Sequence, residues 1–529
     1  MNCSSIQLND LPNEILVLIF KNLNNINLLY SIIGVNKRFN EIAHDSMFTS
    51  CLTLFGYLTN GYIYPLPKIM LDRFCLQILP EIHHKINWLN LEPLTMKRIL
   101  LSANYPNLTG LGIANIEKQT ALDLLMDETL VHVFKNQISS LVIETINKYD
   151  KANLDTRLFT CIFDIFTNLK YLNFDPDFIC NQQISFIVSP PTMFSSTLLQ
   201  LDVKVRFIED CLYFLDGRFN QLQTFYVDIA LPYLRSVSKI NKPKLPNLQC
   251  FSLYCLSGIN FYDEVISMLH RMSNLEELSL YLSVNCNNRF IDGNDLKQNI
   301  INYMPRLNQF HFDFRSSIFL KDQIDLLSNE DIQHSFKDFT NNQIISCVNY
   351  FLEAKQGYCH IYSYPFTARS YENIANNFSG GLFTCVSEVS LFDEHPFEHE
   401  FFIRIAQSFP FMKFFTITNR KPQNDKQCRK LKNNNQDLLI IDYPHLKYIR
   451  FKDSHDDYVE QFLLDTKTIL PYDVDIYVNY KTLKRVTLNF RRNATQINCS
   501  KATYQCFDRI VRFPKYFNDY FGDIKLNIF

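Results

Sequence analysis

Three clusters in the sequence carry residue types that chemistry needs. Asp393-Glu394-His395-Pro396-Phe397-Glu398-His399-Glu400 sets two histidines four residues apart among carboxylates, a spacing that could meet a divalent metal from one helical face. It lacks a defined third ligand, and Pro396 suits a first helical turn. Its acids are therefore expected to complement the start of a helix over 397–408. Gly110-Leu111-Gly112 imitates the opening of a dinucleotide-binding loop, but the third glycine is missing and Leu111 falls on a strand position. Arg420, Lys421, Lys426, Arg429, Lys430 and Lys432 gather among Asn and Gln as a solvated loop; the sharper alternative is a contact for an acidic partner or a nuclear-import signal. The sequence holds no nucleophile elbow, Walker loop or His-Glu-x-x-His. The expectation is a chain that is not an enzyme and uses no cofactor and no metal.

Composition points the same way. Of 529 residues, 52 are Lys or Arg and 54 are Asp or Glu, a net charge of −2. Near-neutrality removes the basic footprint of a nucleic-acid binder or a polybasic membrane binder, so neither partner is expected. Hydrophobic residues at 47% and charged residues at 20% fit a folded chain. Only 12 glycines occur, too few to make phosphate-cradling loops a natural expectation. No apolar run approaches the ~20 residues of a membrane span. The 15 cysteines include no Cys-x-x-Cys pair and are expected to be reduced thiols in a cytoplasmic and/or nuclear protein.

The elements that must position any site come from a repeat. An apolar-x-x-apolar-x-apolar pattern recurs at Ile86/Leu89/Leu91, Leu108/Leu111/Ile113, Ile138/Leu141/Ile143, Leu169/Leu172/Phe174, Leu198/Leu201/Val203, Leu222/Phe225/Val227, Leu248/Phe251/Leu253, Leu275/Leu278/Leu280 and Leu307/Phe310/Phe312. It resumes at Val386/Val389/Leu391, Met412/Phe415/Ile417, Leu446/Ile449/Phe451 and Leu483/Val486/Leu488. The last two apolar positions alternate as one face of a strand requires. Prolines such as Pro106, Pro246, Pro305 and Pro444 end the preceding helix just before several units. Between strands, Leu158/Ile162/Ile165 and Val265/Leu269/Met272 keep the helical period. One strand and one helix per unit is the leucine-rich-repeat plan, in which stacked units make a solenoid with a parallel sheet on the concave side and helices on the convex side. In four units the usual Asn or Cys three positions after the strand is replaced by Ile116, Asp177, Leu256 and Ser283, so the polar ladder is expected to be missing or irregular. A strand near 359–364 is expected within the break in the count. An ordinary doubly wound α/β domain is the alternative.

Residues 8–52 do not follow the repeat. Asp10 is placed to cap a helix, Pro12 suits its first turn, and Ile15, Leu16, Ile19, Phe20 and Leu23 form an apolar stripe. Residues 28–33 and 37–43 supply two further short helices. Three helices in so short a segment cannot bury every one of these apolar side chains internally, so a partner is expected to cover part of the stripe. Leu11-Pro12-Asn13-Glu14-Ile15-Leu16 and Val35-Asn36-Lys37-Arg38-Phe39 resemble the F-box, with Phe39 in place of the family's Trp. The resemblance implies docking on an SKP-type adaptor and, through it, a cullin. It assigns Leu11, Pro12, Ile15, Leu16, Ile19 and Leu23 to the adaptor-facing region, and Val35, Arg38 and Phe39 to the second contact and core patch.

The expected architecture is α/β: an N-terminal three-helix F-box (8–52), linker or capping helices (53–85), a first solenoid run (86–320), an irregular insertion or degenerate repeats (321–384), and a second run with a C-terminal cap (385–529). The expected function is substrate recognition for an SKP–cullin–F-box ubiquitin ligase, with an unknown protein substrate held by the repeats. The alternative is an interaction scaffold that does not engage the ubiquitin machinery. Target contacts are expected at strand positions between the apolar ones: Thr109, Gly110, Lys170, Tyr171, Gln249, Cys250, Glu276, Glu277, Lys447 and Tyr448.

Overall fold

The structure is a computed structural model. It describes residues 8–57, 63–134, 136–146, 154–174, 183–186, 188–189, 192–231, 233, 243–320, 326–339, 343–424, 439–506, 517–521 and 523–526. The fold is mixed α/β with a large parallel sheet, and the chain divides into two units. One comprises Met1–Asn285 with Gly293–Phe312; the other comprises Cys286–Asp292 with Asp313–Phe529.

The first unit opens with helices Asn13–Lys21, Asn25–Ile32 and Lys37–Ala43. Asn24 and Asn36 cap the second and third through their side chains, accepting from the N–H groups of Ile26 and Phe39. Asp10 does not cap the first helix as expected. It ends a 3-10 turn, Leu8–Asp10, and Pro12 takes the N-cap position without a side-chain bond. Strands then come in sequence order: Cys51–Thr53, Trp88–Leu91, Gly110–Glu117, Ser140–Ile146, Tyr171–Phe174, Gln200–Val205, Thr224–Ile229, Cys250–Ile259 and Glu277–Cys286, each parallel to the next.

The central apolar position of the repeat sets the register. Leu52, Leu89, Leu111, Leu141, Leu172, Leu201, Phe225, Phe251 and Leu278 are directly opposite one another across successive strands, and all are fully buried. Burying each such side chain stabilises by about 1.5–3 kcal/mol, and a one-residue slip would turn the whole column to solvent. The residue before each strand adds a backbone clamp. Its carbonyl accepts two N–H groups from the next unit, as Asn87 does from Thr109 and Gly110, Lys170 from Leu199 and Gln200, and Gln249 from Glu276 and Glu277.

A polar ladder does exist, but it precedes the strands instead of trailing them. Asn107, Asn168, Asn247 and Asn274, each immediately before the first apolar residue of its unit, donate to backbone carbonyls of the preceding unit at His84, Asn136, Asn220 and Pro246.

In the second unit, an antiparallel hairpin of Ile344–Phe351 and Gln356–Ser363 pairs with residues 313–319. The strand expected near 359–364 is thus the second arm of this hairpin. Parallel strands Ser370–Ile374, Glu388–Phe392, Phe414–Thr418, Tyr448–Phe451, Val474–Tyr477, Ala502–Cys506 and Asp523–Leu526 come next, in order. The expected strand at Leu483/Val486/Leu488 is instead a helix, Tyr480–Val486, closed by Leu488, Asn489 and Phe490 at positive φ. Leu483 and Val486 are three residues apart and share a helical face, a spacing that the strand template matched by coincidence. No described helix is long and apolar enough to cross a membrane.

Candidate functional site

The three N-terminal helices sort the apolar stripe into two faces. Leu16, Phe20, Leu28, Phe39, Ile42 and Phe48 form the inner cluster, with Leu11, Val17 and Ile32 packed against it. Phe20 and Phe39 meet edge to face at 6.0 Å, so Phe39 fills the core position by aromatic packing. Leu16 is buried, so it holds the module together instead of standing on the adaptor-facing region assigned to it, while Phe39 is buried in the core patch. On the outer face, Ile15 is 41% exposed, Ile19 39%, Leu23 46% and Val35 57%, and Pro12 is also exposed. Leu18, 57% exposed, joins Ile15 and Ile19 at helical spacing. Sequence reading missed it, although its spacing of three from Ile15 was available. Leaving Ile15, Leu18 and Ile19 in water along one short helix, with Leu23 and Val35 also exposed outside it, marks an interaction surface.

Arg38 serves the module internally. Its Nε donates to Asn13 Oδ1 at 2.7 Å, and its Nη atoms donate to the carbonyls of Asn9 and Leu11. The guanidinium therefore fixes the segment that carries Leu11 and Pro12 onto the third helix, and positions the outer face without needing to belong to it. The module is also anchored to the helices over 68–85. Arg73 donates to the Ile33 carbonyl at 2.7 Å and lies over the Tyr30 ring at 4.9 Å, and Lys85 donates to the His44 carbonyl at 2.9 Å.

The strand positions between the apolar ones form the second candidate surface. Lys170, Gln249, Glu276 and Lys447 are exposed and precede their strands, where the Lys170 and Gln249 carbonyls make the clamps. Tyr171, Glu277 and Tyr448 open their strands on the face away from the buried column. In the first unit, Tyr171 donates to Asp202 at 3.3 Å, and Cys250 lies between Tyr226 Oη at 3.5 Å and Glu277 Oε2 at 3.6 Å. Burial pushes the Asp202 carboxyl up. In the second unit, Tyr448 stacks on Phe414 with centroids 4.6 Å apart and planes 1° from parallel, and Tyr477 adjoins at 6.3 Å.

Gly110 does not belong to that surface. It is buried, and a Cβ there would lie 1.9 Å from Cε3 of Trp88, the chain's single tryptophan; at Gly112 it would lie 2.1 Å from Asn90 Oδ1. The two glycines let the Trp88 and Asn90 side chains lie across the neighbouring strand, and Trp88 Nε1 donates to Asn90 Oδ1 at 2.7 Å. This is the structural meaning of the Gly-Leu-Gly sequence.

The acid–histidine cluster is divided among separate partners. Asp393 accepts from the N–H groups of Asn376 and His395, while His399 reaches Gln461 and the Leu439 carbonyl. The helix there is His399–Ser408. Among the described residues no group of three His, Cys, Asp or Glu side chains is placed to hold a metal ion. Arg420 pairs with Asp453 and Lys421 with Glu353; Lys426, Arg429, Lys430 and Lys432 lie outside the described residues.

No curated protein matches the chain. The family model described as F-box-like matches residues 8–52, so the helical module with the exposed Ile15–Leu18–Ile19 face is an F-box-like domain.

Proposed function

We propose that the chain is the substrate-recognition subunit of an SKP–cullin–F-box ubiquitin ligase, acting by binding rather than catalysis. The observation that carries this reading is the outer face of the F-box-like domain: Ile15, Leu18, Ile19, Leu23 and Val35 stand exposed above a complete internal core. Such a face suits the apolar groove of an SKP-type adaptor, which joins the chain to a cullin and a conjugating enzyme. The in-register strand units are an irregular leucine-rich-repeat-like solenoid in this reading. Their open strand faces, around Tyr171 and Glu277 in one unit and Tyr448 in the other, take the target. Anchorage of the module through Arg73 and Lys85 supports a proximity mechanism, because a fixed link keeps target lysines at high effective concentration near the charged ubiquitin.

The test is capture of an SKP-type adaptor by the full chain. Ile15→Asp with Ile19→Asp should abolish capture while the fold persists; undiminished capture by the folded double variant contradicts the interface. Target identity is approached by proximity labelling with and without proteasome inhibition, in which true substrates accumulate only under inhibition.

A further inference from the structure

The strand face of the second unit carries positive charge that the fold leaves unanswered. Phe414 and Tyr448 open neighbouring parallel strands, Phe414–Thr418 and Tyr448–Phe451, in direct register. Lys413 and Lys447 immediately precede them, so two lysines lie side by side at the strand ends. The backbone fixes them there. The Lys413 carbonyl accepts from the N–H groups of Lys447 and Tyr448, and the Lys447 carbonyl accepts from that of Asp475. Further along the strand, Arg450 shares the open face with Tyr448, between Thr416 and Tyr477 on the adjacent strands. Lys452 continues the same alternation just past the strand end.

All four cations are exposed, and among the described residues none makes a hydrogen bond or an ion pair through its side chain. Like charges held on neighbouring strands are unfavourable when nothing lies between them. The acids nearby do not answer them: Asp453 pairs with Arg420, Glu372 with Arg315, Asp475 is buried, and Glu388 lies a strand further on, beside Phe414. In the first unit the same clamp positions over 223–276 are held by Gln223, Gln249 and Glu276, so this charge is not a requirement of the fold. The aromatic pair narrows what could answer it. Phe414 and Tyr448 stack 1° from parallel, so each ring gives a face to the other and turns its edge outward. Ring edges carry the positive end of the quadrupole and suit anions, whereas stacked nucleobases need open ring faces. Lys447 to Lys452 spans about 16 Å at the rise of a strand, which matches separated carboxylates along an extended chain better than one focused phosphate.

We infer that this face docks an extended acidic segment of the target protein, with its Glu or Asp side chains laid along Lys447, Arg450 and Lys452 and with Lys413 beside the first. Charge complementarity selects that occupant, and the spacing of the cations sets its extended form. The inference deepens the substrate-recognition reading above and rests on it for the source of the segment.

Fluorescence anisotropy of the purified full chain tests this, with fluorescein-labelled peptides of about eight residues that alternate Glu and Thr, enough to span the row. The Glu-Thr peptide is expected to bind saturably and more weakly as salt rises, and its Gln-Thr counterpart not to bind. Lys447→Glu with Arg450→Glu should weaken binding roughly tenfold or more. Circular dichroism and melting should not change, since both side chains are exposed and unpaired among the described residues. A Lys-Thr peptide should then bind the reversed variant. Lys413→Gln with Lys452→Gln provides the same test should the reversed variant not fold. No saturable binding of the Glu-Thr peptide overturns the inference, as does undiminished binding by a folded charge variant. So does a face that takes only a phosphoserine peptide, or that takes a single-stranded oligonucleotide in preference. Every substitution lies outside residues 8–52, so adaptor capture should be unchanged. A chain that captures the adaptor but takes no acidic peptide overturns this inference alone, whereas one that takes the peptide but no adaptor contradicts the ubiquitin-ligase reading alone.

Discussion

Arg38 and Asn13, on the third and first helices of the F-box-like domain, are joined by a 2.7 Å bond from Nε to Oδ1, and the same guanidinium takes the Leu11 carbonyl. The arginine thus sets the angle at which the chain enters the exposed helix. Replacing it by Ala should cost about 1–2 kcal/mol of domain stability, the value of charge-assisted bonds at a half-exposed site, and should weaken adaptor capture in proportion. Lys should not rescue, because one ammonium cannot reproduce the forked set of donors. Melting and adaptor affinity measured on both variants check this.

The two faces of the first helix should separate stability from binding. Leu16→Ala, within the buried cluster, is expected to lower stability by about 2–5 kcal/mol. Leu18→Ala, on the exposed face, should leave melting within about 0.5 kcal/mol of wild type and weaken adaptor binding. If Leu18→Ala melts early or binds at full strength, the division of faces is wrong.

Trp88 gives a spectroscopic readout of the first unit. Gly110→Ala places a methyl where the indole lies, so the ring must move, shifting the fluorescence of the only tryptophan and lowering stability. Combining Gly110→Ala with Trp88→Ala should recover part of the stability lost in Gly110→Ala, because the clash is gone. A purely additive loss would show that the indole does not lie over Gly110.

In the second unit, Asp313 is buried between Arg315 at 2.8 Å and His360 at 2.9 Å. Burial alone raises its carboxyl, but Arg315 and His360 outweigh burial and hold it down at about 2. A depressed carboxylate stabilises above its ordinary 3.8, and that contribution is lost as pH falls toward 2. Asp313→Asn should cost about 3–5 kcal/mol at neutral pH by removing the buried countercharge of Arg315, and should flatten the acid limb of the stability profile.

Asp210 has the opposite sign. Burial pushes its carboxyl up to about 7 despite the N–H groups of Phe186 and Phe207 that bond it. Between 3.8 and about 7 the folded chain keeps a proton that the unfolded chain has lost, so this group makes stability fall as pH rises through that window. Asp210→Asn should remove that slope, as seen in urea midpoints measured from roughly pH 4 to 8.

Much of this was legible in the sequence because one period dominates it. The column from Leu89 to Leu278 follows the expected central position of each unit, since a single in-register sheet admits one alternation. The helix at 480–486 was misread because Leu483 and Val486 satisfy both templates, and only the pairing of Val474–Tyr477 with its neighbours decides between them. Which apolar residues of 8–52 face outward was only half legible. Periodicity gives the stripe, but whether Leu16 or Leu18 is inside depends on where the second and third helices close over the first. Gly110 could not be read at all, because the indole that requires it belongs to the preceding unit.

The central claim is that the exposed face of residues 8–52 binds an SKP-type adaptor. Its most direct test is the dissociation constant of the purified full chain with that adaptor, compared with the Ile15→Asp, Ile19→Asp double variant at equal melting temperature. Loss of two apolar contacts worth about 1.5–3 kcal/mol each predicts a weakening of roughly 100-fold or more. A wild type that does not bind, or a folded double variant that binds as tightly, would contradict the account.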